Sequence, residues 1–342
     1  MRRRPRISPS EPRSSVRLLP RPPVRPRPAK SLVFRAVVFA YSEVGLRCLE
    51  ALLEQRVQVP LVFTYEDAPN EAVWFGSVAR LARERGIEAV TPSDPNTEEW
   101  IRRVAALAPD YLFSFYYRSM LTERLLGCAR LGALNMHGSL LPKYRGRAPV
   151  NWAILNGETR TGVTLHYMVA KPDAGPIVAQ EAVPIAIDDD ALTVSLAVAG
   201  AAAALLARCV PLLAAGPPVG RAMDLTQGSY FGGRRSEDGR IEAAWPAARI
   251  HAMIRAVAPP FPGAFVEVGS HRVLFAQSHW TGQPAAHSRC ACLYVDTDGR
   301  LYLDCMDGLR LHVPRIAIDG RTLSAKDFAR LYRDAPLHLD TT

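Results

Sequence analysis

Between residues 36 and 136, short apolar runs alternate with segments of helical period, and this alternation constrains the fold more than any other feature. Residues 36–40 (Ala-Val-Val-Phe-Ala) are apolar throughout. They read as a strand buried on both faces. Residues 45–55 follow, with Leu46, Leu49 and Leu53 on one helical stripe. Strands at 59–63, 89–91 and 110–115 then alternate with helices at 75–85 and 97–107. A further strand at 133–136 places His137 at its carboxyl end. Buried strands joined by amphipathic helices are solved by a doubly wound, mostly parallel α/β sheet with helices on both faces. Open sheets of this kind bind ligands beyond the carboxyl ends of their strands. The first strand-to-helix turn carries only Gly45, so the glycine pattern of a dinucleotide site is missing, and no phosphate-binding P-loop pattern occurs.

Strands are expected at 162–168 and 177–183, around a loop that holds Asp173. Asp188, Asp189 and Asp190 offer caps and N-terminal negative charge to an Ala-rich helix running to about residue 206 or beyond. That helix is apolar, but Ser195, Arg208, Pro211 and its short reach favour a packed helix over a membrane span. Gly216-Pro217-Pro218 marks a linker. Beyond it lie a helix near 249–257 and five short strands, at 264–268, 272–276, 292–295, 301–305 and 310–313. These suggest a small OB-like β-barrel. The expected organisation is an extension at 1–33, a catalytic domain at 34–220, an OB-like domain at 221–330 and a tail at 331–342.

Formal charge is +9, but residues 1–30 hold nine Arg and one Lys against Glu11 alone. The rest of the chain has 32 basic and 32 acidic residues, so its charge cancels. This speaks against phosphate-backbone binding as the main role, because that draws on clustered Lys and Arg. Residues 1–30 also hold eight Pro. A stretch of Arg and Pro cannot bury a core, so it is expected to be disordered, or to be a gene-start artefact. It lacks the apolar segment of a secretory signal. Six cysteines include no C-x-x-C pair. Cys290 and Cys292 near His287 do not match common zinc spacings and read as packing, so a reducing compartment and no metal are expected.

Chemistry concentrates at residues 135–147, Asn-Met-His-Gly-Ser-Leu-Leu-Pro-Lys-Tyr-Arg-Gly-Arg. On an extended segment Asn135 and His137 face the same side. Asp173 supplies a carboxylate from a second loop. An amide, an imidazole and a carboxylate meet the needs of acyl transfer to an amine: stabilisation of an oxyanion, movement of a proton, and tuning of the base.

These residues resemble the folate-dependent formyltransferase family. The likeness rests on His137-Gly-Ser-Leu-Leu-Pro, Arg145-Gly-Arg-Ala-Pro, Thr161-Gly-Val-Thr and Asp173-Ala-Gly. Within the family the chain is most similar to the formyltransferase half of the bifunctional UDP-4-amino-4-deoxy-L-arabinose pathway enzyme. Val37-Val-Phe-Ala-Tyr, Phe113-Ser-Phe-Tyr-Tyr-Arg, Phe231-Gly-Gly-Arg-Arg and Phe261-Pro-Gly-Ala-Phe support this, and the likeness spans roughly residues 34–330. The resemblance implies N10-formyltetrahydrofolate as donor and the 4-amino group of a nucleotide sugar as acceptor. Asn135 would stabilise the tetrahedral intermediate, His137 would act as general acid and base, and Asp173 would raise the pKa of His137. The folate pocket would take Ser119, Met120, Leu121, Arg147 and the loop Val169, Ala170, Lys171, Pro172 and Asp173. No metal is implied. The partners would be folate and the nucleotide sugar, without nucleic acid or membrane, and homo-oligomerisation is left open. A cytoplasmic enzyme serving lipid A modification and polymyxin resistance follows from the same likeness. No dehydrogenase half follows in this sequence, so another chain would supply the sugar precursor.

Other residues have plainer readings. His166 is expected to be a structural partner on its strand, Trp152 a core residue, and Asp188 to Asp190 a capping cluster. At least one of Tyr116 and Tyr117 is expected to pack, and Arg145 and Arg147 to meet an anion. Arg234 and Arg235 suit a phosphate or a plain loop equally. The main rival function is methionyl-tRNA formylation, which the acidic loop at 64–71 and the neutral body oppose. An idle folate-binding protein and a glycinamide formyltransferase are the remaining rivals.

Overall fold

The structure, a computed structural model, describes residues 34–66, 73–287, 290–332 and 335–339. The extension expected at 1–33 and most of the acidic loop at 64–71 lie outside the described residues. So does the end of the chain from residue 340.

The first half comprises β1 (Arg35–Ala40), α1 (Ser42–Glu54), β2 (Gln58–Phe63), α2 (Val78–Glu84), β3 (Glu88–Val90) and α3 (Glu98–Ala106). Then come β4 (Tyr111–Phe115), α4 (Glu123–Leu126), β5 (Gly132–His137), the short β6 (Arg145–Gly146) and α5 (Pro149–Leu155). It closes with β7 (Arg160–Tyr167), β8 (Ile177–Pro184) and α6 (Ala191–Ala215). Seven strands form one sheet in the order β3-β2-β1-β4-β5-β7-β8. Pairing is parallel from β3 to β5 and antiparallel from β5 to β8. The mostly parallel α/β sheet expected from the alternation is therefore present.

The sheet is covered on both faces, which is why β1 is apolar from residue 36 to residue 40. Val38, Ala40, Phe113 and Phe115 enter one core with Cys48, Leu49 and Leu52 of α1. Val37, Phe39, Leu61 and Leu112 enter the opposite core, with Val104 of α3. Helix α6 is long and apolar enough to cross a membrane by length and composition. In the fold, Val194, Val198, Ala202, Leu205, Leu206, Cys209 and Leu213 bury one stripe of it in the α1-side core.

The second half holds β9 (Tyr230–Phe231), α7 (Ala247–Ala256), β10 (Ala264–Val268), β11 (His271–Pro284), β12 (Cys292–Val295) and β13 (Leu301–Asp304). Next are β14 (Leu309–Ile318), β15 (Arg321–Leu323), α8 (Ala325–Tyr332) and β16 (Leu337–His338). Antiparallel strands run β10-β11-β14-β13-β12-β16, with β15 on β14. This is an antiparallel half-barrel, with Ile250, Ile254, Phe275 and Val313 in its core. Strands β11 and β14 run well past the spans read from the sequence. Their register shifts at 275–277, 277–279 and 280–283, so bulges break the alternation that marks a strand. Residues 337–338, expected in a tail, pair with β12.

Helix α7 joins the halves. Asn151 Nδ2 donates to Ala256 O at 2.7 Å, and Arg255 Nη1 donates to Asp189 O at 2.7 Å. The His251 ring spans the joint, with Nδ1 2.8 Å from Ser278 Oγ and Nε2 2.8 Å from Ile187 O. Burial pushes this imidazole down to about 4; the bond to Ile187 O and nearby Asp188 oppose the shift, and Arg255 and His279 add to it. The folded value lies below the ordinary one of about 6.5, so the unfolded chain takes up the proton first. Stability is therefore expected to fall as pH drops from about 6.5 toward 4. Melting temperatures measured across that range should show the slope, and His251→Gln should flatten it.

Candidate active site

Strand β5 lies between parallel β4 and antiparallel β7, and the register fixes its neighbours. Asn135 sits opposite His166, and His137 sits opposite Thr164. Two chain segments then fold over the end of β5. The segment after His137 is held by Thr164 Oγ1, which donates to Ser139 O at 2.6 Å and accepts from Leu141 N at 3.1 Å. Gln180 Nε2 donates to Leu141 O at 2.9 Å. Further on, β6 pairs with β9, bringing Gly146 against Phe231. At Gly146 φ is +97°, and a Cβ there would lie 2.2 Å from Phe231 O, so only glycine fits. The second segment carries Asp173 at φ +48°. It lies so close to β7 that a Cβ on Gly175 would stand 1.9 Å from Tyr167 O.

These constraints bring Asn135, His137, His166 and Asp173 together. Asp173 Oδ2 accepts from Gly146 N at 2.9 Å. Its Oδ1 is 3.6 Å from His137 Nδ1, 3.6 Å from His166 Nε2 and 3.4 Å from Asn135 Nδ2. Burial pushes the Asp173 carboxyl up, but the His137 and His166 rings and the Gly146 N–H outweigh it and hold the group well below the usual carboxylate range. Asp173 is therefore an anion at neutral pH.

A carbonyl oxygen only accepts, which fixes the tautomers. His137 Nε2 lies 2.8 Å from Tyr144 O and carries the hydrogen. Nδ1 is left to take or give a proton, facing Asp173. His166 Nδ1 lies 2.8 Å from Tyr167 O and carries its hydrogen, so Nε2 accepts from Asn135 Nδ2 at 3.1 Å. His166 thereby decides which end of the Asn135 amide faces the cluster. Its expected structural role is incomplete: the ring reaches both Asn135 and Asp173. The signal was there in the period-two spacing of Thr164 and His166 on one strand face, opposite His137 and Asn135.

Asp173 does act to raise the pKa of His137, as expected, but it is not the largest influence on the ring. Burial pushes His137 down, and although Asp173 and the Tyr144 carbonyl oppose this, the net direction is downward. The ring is almost fully enclosed, and desolvation of the cation wins over an anion held 3.6 Å away.

The cluster opens into a cavity of about 870 Å³. Ser119, Met120, Leu121, Arg147, Val169, Pro172 and Asp173 line it with Asn135 and His137. Ala170 and Lys171 share the loop but are exposed and do not line the cavity. Tyr116 and Tyr117 both line it, and Tyr117 stacks on Tyr65 with centroids 4.5 Å apart. Arg234 and Arg235 reach it, whereas buried Arg145 does not. Arg234 lies 4.9 Å over the Trp152 ring, and Trp152 stacks on Phe231 at 4.6 Å. Arg234 Nη2 donates to Asp238 O at 2.7 Å, while its buried Nε has no partner. Asp190 caps α6 through Thr193 N as expected, but Asp188 instead accepts from Trp280 N at 2.8 Å across the joint.

Residues 35–210 match the formyl transferase family, and residues 234–333 match the formyl transferase C-terminal domain. The chain belongs to the formyl transferase family. Among solved structures it is similar to the N-formyltransferase from Helicobacter canadensis in complex with folinic acid and dTDP-3-aminofucose. That match has 19% identity and a TM-score of 0.63, covering 82% of this chain and 98% of the other. It is also similar to WlaRD, a sugar 3N-formyl transferase solved with dTDP and 5-N-formyl-THF. There the identity is 18% and the TM-score 0.61, over 82% and 97% of the two chains. The methionyl-tRNA formyltransferase from Clostridium thermocellum matches at 15% identity and a TM-score of 0.51, over 72% and 93%. At these identities the likeness is one of fold.

A neutral His137 is the base form. For this formyltransferase kcat/KM is expected to rise with pH through a value below about 6.5 and to stay flat above neutrality. Asp173→Asn removes an interaction that favours the imidazolium, so the acid limb should move to lower pH while kcat falls roughly 100-fold or more. A pH–rate profile of both proteins measures this.

Proposed function

We propose that this enzyme transfers the formyl group of N10-formyltetrahydrofolate to the amino group of a nucleotide-linked amino sugar. The favoured acceptor is the 4-amino group of UDP-4-amino-4-deoxy-L-arabinose. The observation that carries the reading is the reach of one cavity. Ser119, Met120 and Leu121, the cluster residues Asn135, His137 and Asp173, and the cations Arg147, Arg234 and Arg235 all line it. Its volume of about 870 Å³ is toward the upper end for a ligand site. The guanidinium groups on this lining suit a diphosphate, because their forked N–H donors match phosphate oxygens. The sugar formyltransferases of similar fold were solved with folate derivatives and dTDP or a dTDP-sugar, which supports the same class of acceptor.

The chemistry follows from the cluster. The neutral amine attacks the formyl carbon, a C–N bond forms, and the carbonyl π pair moves to oxygen. Asn135 Nδ2 keeps one hydrogen on His166. Its other hydrogen makes only a 3.4 Å contact with Asp173, so redirecting it to the oxyanion costs little. His137 Nδ1 takes the proton leaving the amine. The resulting imidazolium faces the Asp173 carboxylate at 3.6 Å. Collapse of the intermediate breaks the bond from carbon to N10, and His137 returns the proton to that nitrogen. On this reading the enzyme works in the cytoplasm, where both substrates are made.

Purified enzyme and N10-formyltetrahydrofolate would be offered UDP-4-amino-4-deoxy-L-arabinose, dTDP-linked amino sugars and methionyl-tRNA in parallel, with products read by mass spectrometry. A formylated UDP-sugar, lost in His137→Ala, is the expected outcome. A product only with dTDP-sugars would keep the class and change the acceptor, and a product only with tRNA would overturn the reading. Arg234→Ala is expected to raise the KM for the nucleotide sugar about tenfold with little change in kcat, as for one lost charge-assisted hydrogen bond.

A further inference from the structure

A second cluster lies in the half-barrel, outside the cavity. Cys292 on β12 is the cross-strand partner of Asp304 on β13. Cross-strand partners in an antiparallel pair hold their side chains within contact range. Both residues are fully buried. His287 folds back over the pair, and its Nδ1 is 3.1 Å from Asp304 Oδ2. The donor atoms of His287, Cys292 and Asp304 all lie within 4.8 Å of one another. Cys290 Sγ is 3.2 Å from Cys292 Sγ, well beyond a disulfide bond of about 2.05 Å. Three donors of the types that hold zinc, one nitrogen, one oxygen and one sulfur, thus face one another, and the Cys290 thiol adjoins the Cys292 sulfur.

Charge points to the same conclusion. Asp304 is 0% exposed, and among the described residues its one ion-pair partner is the half-exposed His287 ring. Asp304 Oδ1 accepts from Tyr294 O–H at 3.2 Å, and Oδ2 accepts from His287 N at 2.6 Å. A buried carboxylate beside two thiols is stabilised by a divalent cation that releases the thiol protons and binds the anions. Two of the spacings can be compared with the edges of a tetrahedral site. With metal–nitrogen and metal–oxygen bonds near 2.0 Å, the edge joining them is about 3.3 Å, and with metal–sulfur bonds near 2.3 Å the sulfur–sulfur edge is about 3.8 Å. The 3.1 Å pair matches its edge, and the 3.2 Å sulfur pair opens by roughly half an ångström to reach its own.

We propose that His287, Cys292 and Asp304 bind a structural zinc ion, with the adjoining Cys290 closing in as fourth ligand, and that the ion ties the segment before β12 to β13. Tyr294 orients the carboxylate from behind, and Arg310 Nη1, 3.4 Å from the Tyr294 hydroxyl, supports it in turn. The two cysteines do pack, as read from the sequence, with Tyr294 and Tyr302, and the β12–β13 pairing adds beside them a carboxylate that no linear spacing shows.

The test uses the full chain purified without chelators and with any affinity tag removed. Metal content is read by plasma mass spectrometry, and the zinc-stripped protein is titrated with cobalt(II). About one zinc per chain, or one equivalent of cobalt giving an intense thiolate-to-cobalt charge-transfer band, is expected. Cys292→Ser and Asp304→Asn should lose most of that binding, and His137→Ala should keep it, which separates the site from catalysis. Should the buried variants fail to fold, Cys290→Ser, at a less buried position, should retain cobalt with a weakened sulfur band. Stripped protein that gives no thiolate band, binding unchanged in both ligand variants, or a Cys290–Cys292 disulfide in protein purified under reducing conditions would overturn the proposal.

Discussion

The site depends on one buried anion. Asp173 comes from a segment with no regular structure, and its position is set by what its two oxygens meet. One accepts the Gly146 N–H, which joins the two segments that fold over β5. The other faces two imidazoles and an amide. Burying a carboxylate is costly, and this one is stable because polar groups face both oxygens. The same demand explains the backbone around it. The Gly146 N–H reaches the carboxylate only because β6 presses against β9, and that pairing leaves no room for a side chain at Gly146. Asp173 adopts a left-handed conformation that side chains rarely take, held by the contacts its carboxylate makes.

His137 shows how competing effects divide. An anion 3.6 Å away favours the imidazolium, while enclosure disfavours it, and enclosure prevails. The direction suits a group that must first act as a base. A ring already protonated at neutral pH could not take the amine proton. In the proposed mechanism the nearby carboxylate favours the charged form once the proton arrives, so the two opposing influences would serve successive moments of one step.

Much of this was legible in the sequence, and the parts that were not share a cause. The apolar run at 36–40, the stripe of Leu46, Leu49 and Leu53, and the placement of His137 at a strand end depend on local periodicity, and the structure bears them out. His166 was undervalued because its role comes from register with Asn135, a partner thirty-one residues away. Helix α5 went unread although Pro149 stands at its first turn, a common helix start, because the whole helix is only seven residues long. The length of β11 was hidden by bulges at Gln277 and His279, which place polar side chains out of alternation. The grouping of Cys292 with Asp304 needs a hairpin pairing that spacing along the chain does not reveal. Sequence pattern reports which face a residue takes; it reports poorly which distant residue shares that face.

Net charge is likewise a poor guide to what the cavity recognises. The body beyond residue 30 carries equal numbers of basic and acidic residues, yet Arg147, Arg234 and Arg235 line one cavity. Arg234 is fixed before any ligand arrives, by the Trp152 face beneath it and by its hydrogen bond to Asp238 O. A guanidinium already held in place loses little side-chain freedom on meeting an anion, so more of the interaction is retained as affinity. A mobile surface arginine lacks that advantage. On the proposed reading, an anionic co-substrate would meet at least one cation held in place beforehand, Arg234, and an overall neutral body is compatible with that.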